Sequence, residues 1–98
     1  FPIEVEQVIA TLPGVVEVGV VGVPDEQWGE TVAAFVVKAP DAAIDAAAVV
    51  ARCRDNLASY KKPRYVLFVA SLPRNTTNKV DKNALRAQFA ELGRAPQP

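Results

Sequence analysis

The sequence has no histidine, one cysteine, no net charge and no long apolar run. Each shortage removes a class of function. Without histidine the commonest general base is missing, and with it any Ser-His-Asp triad. Cys53 alone, with no histidine beside it, makes no zinc site, so no metal centre is expected. One thiol also forms no intrachain disulfide; nothing points to a stapled secreted domain, and a reducing, cytoplasmic setting is expected. The 11 basic residues balance 11 acidic ones, which argues against a dedicated nucleic-acid binder while leaving room for a local basic patch. No stretch approaches the roughly 18–20 apolar residues that cross a bilayer. The opening FPIEVEQVIA carries neither an initiator methionine nor the basic and apolar regions of a signal peptide. It runs almost directly into a helix, as expected of a piece of a longer chain cut near a domain boundary.

What is present is one domain's worth of apolar pattern. The chain has 98 residues, 50% of them hydrophobic. A domain of this size buries roughly 60–70% of its unfolded surface, enough for one core. Val5, Val8, Ile9 and Leu12 recur at helical spacing, and Pro13-Gly14 ends the run. VVEVGVVGV reads as a strand, VPDEQWGE as a connecting loop, and TVAAFVVKA as a second strand antiparallel to the first, because the connection is short. A second helix follows, capped by Asp45, with Val49, Val50, Cys53 and Leu57 as its apolar stripe. RYVLFVASLP, nearly all apolar, reads as a third strand, central and buried. A last helix capped by Asp81 carries Leu85, Phe89 and Leu92 on one face and stops at Gly93. Helices on one face of a mixed three-stranded sheet predict a small two-layer α+β domain over residues 1–92, with 93–98 a flexible tail.

Three stretches could carry chemistry. In PRNTTNKVDKNALR, Lys79 sits on a polar loop just before the last helix. It is either a solubilising surface lysine or a cation presented to an anion near a positive helix end. Asn78 adopts positive φ more readily than most non-glycine residues, so the backbone can turn sharply there. In SYKKPRY, Lys61, Lys62 and Arg64 surround Pro63, with Tyr60 and Tyr65 flanking. This is either a solvated connection or a phosphate patch beside an aromatic platform, sized for one nucleotide. In PDEQWGE, Trp28 is either an aromatic folded over the core or a stacking surface for a purine. Cys53 lies on an apolar helix face and reads as core.

Taken together, these stretches resemble the C-terminal domain of the adenylate-forming (AMP-binding) enzymes, a superfamily that holds acyl- and aryl-CoA synthetases, peptide-synthetase adenylation domains and firefly luciferase. FPIEVEQVIATLPGVVEVGVVGVPDEQWGE resembles the family run P-x-E-V-E, strand, P-D-x-x-W-G-E. LASYKKPRYVLFVASLPRNTTNKV resembles Y-K-x-P followed by L-P-R/K-x-x-x-G-K. The resemblance implies a two-step reaction. ATP, with Mg2+, and a carboxylic acid give an acyl-adenylate and pyrophosphate; coenzyme A then displaces AMP. ATP and the acid would be bound mainly by a large N-terminal adenylation domain preceding Phe1, the partner of this one, so that this chain alone should be inactive. The small domain turns a different face to each step. Lys79 falls on the adenylation lysine, and Trp28, Tyr60, Lys62 and Arg64 on residues around the CoA nucleotide. Many members have glycine where this chain has Asn78, and some aryl-CoA ligases have asparagine there, which leans the expected acid towards an aromatic one. Two alternatives remain: a peptide-synthetase subdomain, whose thiol sits on a carrier protein, and a free-standing, non-catalytic interaction module.

Overall fold

A computed structural model describes residues 2–27, 29–57 and 63–92. The elements run α1 (Pro2–Ala10), β1 (Val15–Asp25), β2 (Gly29–Lys38), α2 (Ala46–Asn56), β3 (Tyr65–Phe68) and α3 (Lys82–Glu91). The expected class is the one observed: α+β, with a mixed three-stranded sheet and helices packed on it. Asp45 and Asp81 cap α2 and α3 as read from the sequence, each accepting a backbone N–H three residues on, from Ala48 at 2.8 Å and Ala84 at 3.0 Å. The predicted tail, 93–98, lies outside the described residues.

The sheet departs from the sequence reading in two ways. Its order is β1-β2-β3, so the central strand is β2, and β3 is a four-residue edge strand. β3 is parallel to β2, because the segment that joins them contains α2 and makes a crossover. β3 still reads as apolar because both its faces are covered. VPDEQWGE is less a loop than a hairpin end: antiparallel pairing of β1 and β2 continues to Asp25 opposite Gly29, and Gly29 supplies the turn with φ 80°.

Alternation along the strands divides the core, and the helices take both faces where one was expected. Val20, Ala34, Val36 and Val66 face α1 and α2, meeting Val5, Ile9, Val49 and Cys53. Val21, Val23, Ala33, Phe35, Val37 and Tyr65 face α3, meeting Leu72, Leu85 and Phe89. Phe35, fully buried on the central strand, alone accounts for about 1.5–3 kcal/mol of burial. Tyr65 and Phe89 pack edge to face, centroids 4.7 Å apart. Leu92 does not join this face. It is 59% exposed, because α3 ends at Glu91 and Leu92 is its C-cap.

The free edge of β1 is closed by side chains from both layers. The Val20 N–H donates to Glu6 of α1 at 2.9 Å, and the Val20 carbonyl accepts from the Lys82 ammonium of α3 at 2.9 Å. Glu6 and Lys82 pair with each other, and Arg86 donates to the Gly22 carbonyl at 3.2 Å. An edge occupied in this way does not recruit another strand. It also ties the start of α3, and the loop before it, to β1.

Candidate functional site

Lys79 sits on a small hairpin. Arg74 and Val80 pair as its stem, and the Asp81 N–H donates to the Pro73 carbonyl at 2.9 Å below them. Above, the Asn75 N–H donates to the Lys79 carbonyl at 2.8 Å, and the Asn78 N–H to the Asn75 carbonyl at 3.0 Å. A turn of this kind closes with a residue in the left-handed region. Asn78, at φ 63°, is the only described non-glycine residue with positive φ, as the sequence suggested. The Asn75 side-chain oxygen binds the loop from inside, accepting from the Thr77 N–H at 3.0 Å, the Thr77 hydroxyl at 2.7 Å and the Lys79 N–H at 3.0 Å.

The hairpin rests on β1. A Cβ added at Gly19 would lie 2.8 Å from Leu85 Cδ1, 3.4 Å from Val80 and 3.6 Å from Leu72. Glycine at that position therefore lets the hairpin foot and α3 approach the strand. Two residues earlier on the same strand face, Glu17 forms an ion pair with Arg74. The result is a rigid backbone under an exposed side chain: Lys79 is exposed, and among the described residues its ammonium has no hydrogen-bond or ion-pair partner. The Asp81 carboxylate already occupies the amide end of α3, so what the hairpin offers an anion is the lysine and not the helix terminus. Sequence reasoning missed the pairing of Glu17 with Arg74, which lie 57 residues apart; Arg74 stands at the basic position of the L-P-R/K-x-x-x-G-K run, but nothing in that run names its partner.

Arg64 lies elsewhere. It follows the buried Pro63, and its backbone N–H donates to the Val32 carbonyl at 3.0 Å. Its Nε is buried and has no hydrogen-bond partner among the described residues. Trp28, Tyr60 and Lys62, the other residues expected around a CoA nucleotide, lie outside the described residues. The structure does not bring Arg64 and Lys79 together. The Lys79 hairpin overlies Glu17 and Gly19, whose partners on β2 are Val37 and Phe35. From Val32 that is roughly 10–17 Å along the strand, at about 3.3 Å per residue. Arg64 is also on the far side of β2 from β1. A groove of about 710 Å³, lined by Pro24 and Glu26 of the hairpin end and Arg86 and Phe89 of α3, is a further concavity that the sequence did not suggest. Among the described residues no group of three or more His, Cys, Asp or Glu could hold a metal.

Cys53, the free cysteine of the described residues, is buried on α2 as expected, and burial raises its thiol pKa above the ordinary 9.0. No described helix is long and apolar enough to cross a membrane.

Comparison with known proteins agrees with this architecture. The model of the AMP-binding enzyme C-terminal domain matches residues 4–79. A 3-[(3aS,4S,7aS)-7a-methyl-1,5-dioxo-octahydro-1H-inden-4-yl]propanoyl:CoA ligase of Mycobacterium tuberculosis is 50% identical over 93 residues, 95% of this chain and 18% of that protein. The long-chain-fatty-acid–CoA ligase FadD13 of the same species is 46% identical over 90 residues, 92% of this chain and 18% of the relative. The crystal structure of apo MatB from Rhodopseudomonas palustris superposes with a TM-score of 0.86 at 46% identity, covering 94% of this chain and 18% of that one. The chain thus spans under a fifth of the length of these relatives. Ligases named for aromatic acids, 2-succinylbenzoate and 4-chlorobenzoate, match as well, so the relatives' names do not decide the expected lean towards an aromatic acid. The chain belongs to the AMP-binding enzyme C-terminal domain family.

Proposed function

We propose that the chain is the mobile C-terminal domain of an ATP-dependent acyl- or aryl-CoA ligase, acting with a large N-terminal adenylation domain. The observation that carries this reading is an exposed lysine, without a partner among the described residues, on a hydrogen-bonded hairpin within a domain of this family. In the first half-reaction a carboxylate oxygen of the acid attacks the α-phosphorus of ATP and pyrophosphate leaves. Lys79 lies against the carboxylate and the phosphate, where negative charge gathers. In the second, the thiol of coenzyme A attacks the acyl carbon and AMP leaves. Trp28, Tyr60, Lys62 and Arg64 then lie around the CoA nucleotide, the tryptophan stacking on the purine and the cations on phosphate. Mg2+ would travel with ATP, its ligands supplied mainly by the large domain.

Exposure sets the energetics. A cation about 4 Å from an anionic oxygen gains only ~1 kcal/mol in water but ~4 kcal/mol at an effective dielectric near 20. Lys79, exposed in this domain, therefore becomes an effective electrostatic stabiliser only when another surface closes over it. The separation of Lys79 from Arg64 supports two successive docked orientations, one for each half-reaction.

The reading is tested with the longer enzyme by carboxylate-dependent ATP–pyrophosphate exchange and by comparing CoA with dephospho-CoA. Lys62→Ala and Arg64→Ala are each expected to raise the KM for CoA by about ten- to a hundredfold, the scale of one charge-assisted hydrogen bond. That penalty should shrink with dephospho-CoA. An enzyme without acid-dependent exchange would overturn the ligase reading, and a penalty equal for both thiols would overturn the phosphate role of the two cations.

A further inference from the structure

The catalytic reading of Lys79 leaves unexplained why its hairpin is fastened to β1 by an ion pair. Glu17 and Arg74 are 32% and 37% exposed, and a pair so open to water contributes little to stability. Its geometry is more informative. The Arg74 guanidinium has two arms in use. Nη2 pairs with Glu17, while Nη1 donates to the Asn78 carbonyl oxygen at 3.2 Å. That carbonyl belongs to the same peptide unit as the Lys79 N–H, which donates to the Asn75 side-chain oxygen at 3.0 Å. The peptide plane entering Lys79 is thus held at both ends, its oxygen by Arg74 and its N–H by Asn75. A planar peptide held at both ends fixes the N–Cα bond of Lys79, and the Lys79 carbonyl, accepting from the Asn75 N–H at 2.8 Å, restricts rotation about it and so the direction in which Cβ leaves. Glu17 in turn fixes the guanidinium, whose rigid fork holds two acceptors at set angles in a way a lysine cannot.

We propose that Glu17 and Arg74 are positioning residues for Lys79. Arg74 holds the Asn78–Lys79 peptide against β1 through Glu17, so that the ammonium leaves the hairpin along one direction when the large domain closes. The inference rests on the catalytic role proposed for Lys79. Misplacement of a reacting or stabilising group by about an ångström is costly, so losing the tether slows chemistry without removing any group that touches substrate.

The test uses the longer enzyme and follows the two half-reactions separately in single turnovers. Arg74→Met is expected to slow adenylate formation about tenfold and to leave thioester formation from pre-formed acyl-adenylate within twofold of wild type. Arg74→Lys, which can pair with Glu17 but cannot hold both acceptors, should stay close to the Arg74→Met rate. The near-isosteric Glu17→Gln should give a smaller loss in the same half-reaction, about threefold, and guards against a variant that simply fails to fold. In a Lys79→Ala background, Arg74→Met should have no further effect, because residues acting through one group are non-additive. Equal slowing of both half-reactions, a loss that multiplies with Lys79→Ala, or adenylate formation unaffected by Arg74→Met and Glu17→Gln would each overturn the proposal. If Lys79→Ala itself leaves adenylate formation intact, the catalytic reading fails and the positioning role falls with it; a damaging Lys79→Ala beside a harmless Arg74→Met removes the positioning role alone.

Discussion

Gly19→Ala is expected to destabilise the domain because of one crowded contact. The new methyl would sit 2.8 Å from Leu85 Cδ1 and 3.4 Å from Val80 Cγ1, and Leu85 is fully buried, so it cannot swing into solvent. Overpacking of this kind costs about 1–3 kcal/mol. Replacing glycine returns about 0.4–1 kcal/mol by restricting the unfolded chain. The net expectation is about 0–2.5 kcal/mol of destabilisation, and in a domain of this length each kcal/mol lowers Tm by roughly 4–8 °C. Leu85→Ala alone should cost about 2–5 kcal/mol through the cavity it leaves. The decisive variant is the double, in which the crowding atom is gone and the methyl introduced at position 19 enters the vacated space. It should be more stable than the sum of the singles by about 1 kcal/mol or more, a coupling expected only of residues in contact. Urea denaturation of the four proteins measures it. Strict additivity, or a Gly19→Ala protein more stable than wild type, would refute the close approach of α3 and the hairpin to β1.

Asn78→Gly should fold and function close to wild type, whereas Asn78→Val, forced to the same φ of 63°, should lose about 1–2 kcal/mol by thermal denaturation. Cys53 should resist alkylation in the native state and react on unfolding, since burial lowers its thiolate fraction. Its raised pKa means that, above the ordinary value of 9.0, the unfolded chain loses the thiol proton first. Stability should therefore fall as pH rises through that range, and less steeply in Cys53→Ala. Trp28→Ala should weaken CoA through lost stacking of roughly 1–3 kcal/mol with dephospho-CoA affected alike; an equal loss in the adenylation step would instead make Trp28 structural.

Local signals in this chain were readable, and distant ones were not. Asp45 and Asp81 announced two helix starts because a cap acts within three residues. Asn78 announced its left-handed turn because conformational tolerance belongs to the residue itself. Lys79 was legible as a cation on the polar loop before α3, and the role expected of it came from the resemblance. The apolar run of β3 reads as central because apolar residues on alternate faces report cover by helices, whereas its edge position depends on which strand it pairs with. The length of the β2–β3 connection, enough for a crossover, was the available clue to parallel pairing. The division of helices between faces follows from strand register, which alternation alone does not assign to particular helices. Glu17 and Gly19 carried no signal, and Arg74, at the basic position of the L-P-R/K-x-x-x-G-K run, gave none of its partner. Their meeting is made by the fold, across a separation no sequence window spans.

The central claim is that Lys79 serves adenylate formation and not thioester formation. Rapid-quench single turnovers of the longer enzyme and its Lys79→Ala variant test it directly, with each half-reaction started separately. Losing an electrostatic stabiliser in a closed site costs about 2.7 kcal/mol or more, at least a hundredfold. Adenylate formation should fall by that factor, while transfer from pre-formed acyl-adenylate to CoA should stay within a few-fold of wild type. Equal damage to both steps, or an adenylation rate unchanged by the substitution, would contradict it.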